Sequence, residues 1–205
     1  LIDAIPTLPI RDDEKALLVG ESSFIKAYAY FALAKRYGGV SLIKELQEFT
    51  GNPEDLKVPR STEKETWDYV MQLCDEAITN LADNNDVRRA NKWIAYALKS
   101  RAALHAASIA KFGNRAPMSG NAVSQGLVTL DASIANSYYQ QCIDASLAII
   151  NSGKFSLFRP APASTAAAAE NYRAIFQDPN GTVGTEAIFI KGFSLPGNNL
   201  GHNYD

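Results

Sequence analysis

Four stretches of this chain carry apolar residues at the spacing of a helix with one buried face, and that periodicity restricts its fold more than any other feature. Between Asp13 and Tyr37, the residues Leu17, Phe24, Tyr28, Phe31 and Ala34 recur at helical spacing before Gly38-Gly39 stops the run. Thr62, followed three residues later by Glu65, forms a capping box that predicts a second helix over 62–82. Its apolar face runs from Trp67 through Val70, Met71, Cys74, Ala77 and Ile78 to Leu81, which makes Trp67 a packed anchor. The third helix is predicted over 90–112, with a seam of small residues (Ala95, Ala102, Ala106, Ala110) around Leu98. The fourth spans 132–152, with Tyr138, Cys142, Ala145 and Ile149 inward and Gly153 as its stop.

Each of these apolar faces is too broad for an isolated helix pair to bury, and stacked hairpins solve that problem. The chain is therefore read as mainly α, with two consecutive antiparallel hairpins in a degenerate tetratricopeptide-like arrangement. Residues 117–129, rich in Gly, Ser, Asn and Pro, read as an exposed loop. Past Gly153 the pattern changes. Pro160 and Pro162 interrupt the chain, Ser164 or Thr165 caps a short Ala-rich helix reaching Phe176, and Thr185 to Lys191 reads as one short strand. This divides the chain into a helical region, residues 1–155, and an irregular region, residues 156–205, with a short helix and a short β element near the C-terminus.

Composition excludes several classes. With 46% hydrophobic and 20% charged residues the chain is an ordinary globular sequence. Its 20 basic and 22 acidic residues nearly cancel, and no Lys/Arg run could neutralise a phosphate backbone, so nucleic acid is not an expected partner. No run of apolar residues approaches the roughly 18 to 20 that a spanning helix needs. Leu1 opens without a leader pattern, so any targeting signal is expected to lie outside this sequence. Cys74 and Cys142 sit within helical patterns and read as small buried apolar residues rather than a disulfide, while His105 and His202 offer no metal-ligand spacing. No metal and no cofactor are expected.

Catalytic signatures are missing from the sequence. There is no G-x-S-x-G elbow, no glycine loop suited to a phosphate and no H-E-x-x-H. Asp75 and Glu76 fall on the solvent side of an otherwise apolar helix, which reads as a solvated face rather than a carboxylate pair for glycoside hydrolysis. The chain is accordingly read as a binding protein and not an enzyme.

Four motifs, in order, carry a resemblance. Gly20-Glu21-Ser22-Ser23-Phe24-Ile25-Lys26-Ala27-Tyr28-Ala29-Tyr30-Phe31 runs on to Arg36-Tyr37-Gly38-Gly39-Val40-Ser41-Leu42-Ile43. Pro59-Arg60-Ser61-Thr62 leads to Trp67 and to Asp75-Glu76-Ala77-Ile78. The third motif runs from Arg89-Ala90-Asn91-Lys92-Trp93 to Leu104, and the fourth pairs Asn171-Tyr172-Arg173-Ala174-Ile175-Phe176 with Glu186-Ala187-Ile188-Phe189. Together these resemble the SusD/RagB family of outer-membrane nutrient-binding lipoproteins. Lys26 stands where the family usually has Arg, keeping the charge, and Ser41 where it usually has Pro, loosening a turn. The resemblance implies a SusD-like α-α superhelix on a lipid-anchored protein of the outer-membrane cell surface, which captures glycans and hands them to a SusC-like TonB-dependent transporter. It also implies that a lipidated cysteine and a large C-terminal part lie outside these 205 residues.

Two functional readings remain open at this level: a sugar-binding module, and a helical scaffold that contacts a protein without a sugar site of its own. Sugar sites place flat rings against pyranose faces and use amide and carboxylate side chains for the hydroxyls. The tail holds that inventory in Asn198, Asn199, His202, Asn203 and Tyr204, which are the candidate ligand-binding residues. The alternative for the same stretch is a plain polar loop, since Asn and Gly favour turns for backbone reasons alone.

Overall fold

The computed structural model describes residues 2–84, 89–115, 117–159, 161–177 and 185–189. After a 3-10 turn at Ile2–Thr7 come α1 (Asp12–Tyr37), α2 (Glu63–Asn80), α3 (Lys92–Phe112), the single turn α4 (Asn121–Ser124), α5 (Ala135–Asn151) and α6 (Thr165–Gln177). The helix starts have local causes. The Thr62 hydroxyl accepts from Glu65 N while the Glu65 carboxylate accepts from Thr62 N, closing the expected capping box. Asn91 Oδ1 accepts from Ile94 N, which delays α3 to Lys92. The Asp131 carboxylate accepts from Ser133 N and opens a 3-10 turn, Ala132–Ile134, so the fourth long helix begins only at Ala135.

Contacts between helices fix their directions. Ser23 meets Glu76, Tyr30 meets Tyr69 and Gly39 meets the start of α2, so α1 and α2 are antiparallel. Lys99 pairs with Asp75 and His105 lies against Trp67, which makes α2 and α3 antiparallel. Trp93 meets Phe155, Ser100 bonds Ser146 and Lys111 lies over Tyr139, so α3 and α5 are antiparallel too. Two hairpins, α1–α2 and α3–α5, therefore stack through α2 and α3, as the periodicity predicts.

The core follows from this stacking. Trp67 is 0% exposed, with Phe31 of α1 edge-on at 6.0 Å, His105 of α3 at 5.4 Å, and its indole N–H donated to the Glu63 carboxylate at 3.2 Å. Ala95, Ala102 and Ala106 are completely buried, so the small-residue seam of α3 lets its neighbours approach closely. Cys74 is buried, its thiol pushed up to about 12 first by desolvation, and both Cys74 and Cys142 are free. Tyr138 of α5 reaches α2, donating to Asp68 at 2.7 Å.

Several motif residues serve one backbone crossing. Gly38 has φ +69, and a Cβ there would sit 2.3 Å from Leu127 O; a Cβ on Gly39 would sit 2.1 Å from Ser61 O. Only glycine fits either place. Gly39 N donates to Leu127 O, Ser61 N to Val40 O, and Glu63 N to Gly126 O, tying the ends of α1, α2 and the 117–129 loop together. Arg60 donates to the carbonyls of Gly39 and Tyr37, satisfying acceptors at the end of α1. At the other end of the hairpin, Gly20 lets Leu81 approach and Glu21 pairs with Arg89.

One expectation is corrected. Thr185–Phe189, predicted as the start of a strand, contains no strand; Ile190 and Lys191 lie outside the described residues. The β-branched and aromatic composition suggested pairing, but the backbone bond made here to Ser156–Phe158 is a single one, Ser156 N to Thr185 O at 3.0 Å. Glu186 then takes Phe158 N on its carboxylate, and Ile188 packs against the core. Side-chain anchoring replaces a ladder. The short helix α6, by contrast, begins at Thr165 with Ser164 Oγ accepting from Ala167 N, as expected.

Two outcomes test this packing. Replacing Ala102 with Leu overpacks the seam and lowers stability by about 1–3 kcal/mol, read as a drop in melting temperature; an unchanged temperature would place the seam in solvent. His105 is held below its ordinary pKa, first by desolvation and then by Lys35 and Arg101. The unfolded chain therefore binds a proton more readily, so this contribution is present above about pH 6.5 and is lost as pH falls through the depressed folded value. His105→Gln should then show a smaller loss of stability than the unsubstituted chain between pH 7.5 and 5.5 in urea titrations; equal losses would contradict this assignment.

Candidate functional site

The antiparallel register of α1 and α2 brings two polar helix faces to one cleft. Ser22, Lys26 and Ala29 recur along α1, and Tyr69, Gln72 and Glu76 along α2, each set at the three- and four-residue spacing that keeps side chains on one side of a helix. The segment 43–46 closes the third side, and Asp3 of the first 3-10 turn lies at the rim. The enclosed volume is about 630 Å³, within the roughly 300–1,000 Å³ range of small-ligand sites.

Tyr30 holds the third wall in place. Its hydroxyl accepts from Ile43 N at 2.8 Å and donates to Ser41 O at 3.4 Å, so a buried phenol fixes the turn of the 41–43 segment. Its ring packs edge-on against Tyr69, with centroids 5.2 Å apart. The ammonium groups of Lys26 and Lys44 both approach the Tyr69 ring, at 5.5 and 5.6 Å from its centroid. Lys26 also donates to Lys44 O at 3.4 Å. Glu76 accepts from the Ser23 hydroxyl at 2.8 Å, which steadies its carboxylate at the cleft wall.

The cleft therefore has an apolar floor at Leu73, with Ile43 beside it and Ile25 on its rim, ringed by an amide, carboxylates and ammonium groups. That is a surface for an uncharged polyol: apolar faces cover ring carbons, while donors and acceptors of both kinds take hydroxyls. Among the described residues no cluster of His, Cys, Asp and Glu suits a metal ion.

The candidate residues Asn198, Asn199, His202, Asn203 and Tyr204 lie outside the described residues. Sequence reasoning passed over the cleft. It placed Asp75 and Glu76 together on a solvated face, whereas Asp75 is exposed and paired with Lys99 while Glu76 turns toward α1. The available signal was the recurrence of Ser22 with Lys26 and of Gln72 with Glu76 on otherwise apolar helices; it becomes readable only once the register of α1 on α2 is known.

Comparison with known proteins bears on this geometry. A family model for SusD-like proteins, described as starch-binding and associating with the outer membrane, matches residues 4–104. A SusD-like protein of Bacteroides ovatus is 27% identical over 86 residues, covering 42% of this chain and 15% of that protein. The crystal structure of a SusD-like protein from Bacteroides fragilis superposes with a TM-score of 0.67 at 27% identity, covering 95% of this chain and 30% of the other. A structure with a xylogluco-oligosaccharide shares the fold, with a TM-score of 0.51 and 23% identity over 77% of this chain and 27% of that one. The chain thus spans less than a third of the length of each of these proteins. The matched region takes in α1, α2 and most of α3, with the Gly20-Glu21, Gly38-Gly39, Arg60 and Arg89 contacts that join them, and over it the chain is similar to the SusD-like (SusD/RagB) family in sequence and fold.

Proposed function

We propose that this chain is part of a cell-surface glycan-binding protein, lipid-anchored at the outer membrane, that delivers oligosaccharide to a SusC-like TonB-dependent transporter. Binding, rather than turnover, is its task. The observation that supports this reading most is the α1–α2 cleft in a SusD-like chain: an apolar floor with Gln72, Glu76, Lys26 and Lys44 placed for hydroxyls. The solved relative with a xylogluco-oligosaccharide makes an oligosaccharide the first ligand class to try. In this proposal residues 1–155 supply the helical platform, and residues 156–205 begin the remainder of the substrate-binding part, with Asn198, Asn199, His202, Asn203 and Tyr204 as further contacts.

The test is calorimetric titration of the full-length protein with neutral oligosaccharides, including maltoheptaose and xyloglucan fragments. At least one should bind, and Gln72→Ala should weaken it by about 1 kcal/mol, the worth of one hydrogen bond. Tyr204→Ala should weaken it by a similar amount through lost stacking, and the 205-residue chain alone should bind more weakly than the full-length protein. No new reducing ends should form on incubation. Affinity insensitive to Gln72→Ala would remove the cleft from the site, and the failure of every oligosaccharide would favour a helical scaffold instead.

A further inference from the structure

The face of α1 turned away from this cleft is also apolar. Because α1 and α3 both run antiparallel to α2, they lie parallel, and Phe24 to Phe31 faces Ile94 to Arg101 across a slot of about 300 Å³. Phe189 forms its third wall, edge-on to Phe24 with centroids 6.3 Å apart. No described residue fills the slot: Tyr28 remains 60% exposed and Phe189 52%.

Its charge is one-sided. Among the described residues lining the slot, Arg101 is the single charged one, and no carboxylate joins it. Arg101 makes no ion pair with another described residue, and with Lys35 it bears on His105 as a like charge. Lys35 lies over the Phe31 ring at 4.6 Å, and His105 stands edge-on to the same ring. A guanidinium with no carboxylate partner among the described residues, beside aromatic walls, suits a planar anion that offers two oxygens side by side. Beyond the Tyr28 phenol and Arg101 the walls give the hydroxyls of a sugar no partners, and one arginine with one lysine is too few cations for a phosphate chain.

We propose that the slot between α1 and α3 is a second binding site, for a compact aryl or alkyl carboxylic acid whose apolar body lies against Tyr28, Leu98 and Phe189 and whose carboxylate pairs with Arg101. The site is independent of the glycan reading, since it shares with the cleft only Ile25 on the ridge between them. Its volume is at the lower end of the small-ligand range, which fits a single ring with a short acidic arm.

Isothermal titration of the full chain with 4-phenylbutyrate, 4-phenylbutan-1-ol and 4-phenylbutylamine tests this. The acid should bind at least about tenfold more tightly than the alcohol or the amine, the ratio expected of a hydrogen bond to a charged group. Arg101→Gln, a change at an exposed position, should bring the acid down to the affinity of the alcohol and leave the alcohol unaltered. Ala97→Phe should fill the slot and abolish both. Methyl spectra report the same site without substitution, because the acid should shift the signals of Ile94 and Leu98. Equal binding of acid and alcohol, undiminished binding by the Arg101→Gln protein, or unshifted methyl signals at millimolar acid would each overturn the proposal.

Discussion

Everything in this fold is referred to the burial of one indole. Trp67 touches α1 through Phe31 and α3 through His105 while belonging to α2, so three helices must be at the right height before its ring leaves water. The gain from burying so large an aromatic is on the order of a few kcal/mol. Its N–H still needs an acceptor, and Glu63, one turn earlier, supplies it. That acceptor is itself largely enclosed, with its pKa raised mainly by desolvation and partly offset by the bond to Trp67. The arrangement fixes α2 between its neighbours, and the alanine seam of α3 can then close on α5.

The hairpin ends are fixed by a different means. At Gly38 and Gly39 the backbone of α1 leaves its helix so near to Leu127 and Ser61 that no side chain is tolerated. Arg60 then occupies the carbonyls that the helix end leaves without partners. Two sequence motifs that look unrelated, Tyr37-Gly38-Gly39 and Pro59-Arg60-Ser61-Thr62, are thus halves of one junction. Tyr30, about two turns earlier, carries the consequence into the cleft by holding Ser41 and Ile43.

The helices were legible because each has its own local evidence: an apolar stripe of period 3.6, a capping residue and a glycine stop. Where boundaries moved, a side chain one or two residues along had captured a backbone N–H first, as Asn91 and Asp131 do. The stretch after Thr185 misled because strand composition needs a partner strand, and Ser156–Phe158 offers a single backbone bond there. The cleft was illegible for a geometric reason. Lys26, Lys44, Tyr69 and Gln72 belong to three segments, and each alone reads as an ordinary helix or loop surface. Only the antiparallel register that Trp67 enforces makes them neighbours.

Register thus sets the cavities as well as the fold: it creates the polar cleft on one side of α1 and the apolar slot on the other. A crystal structure of the protein with a bound neutral oligosaccharide tests this account most directly. It should show sugar density between the Gln72–Glu76 face of α2 and the 43–46 segment, with hydroxyls on Gln72 and Glu76. A sugar bound only to residues beyond Gly153, with the cleft empty, would contradict it.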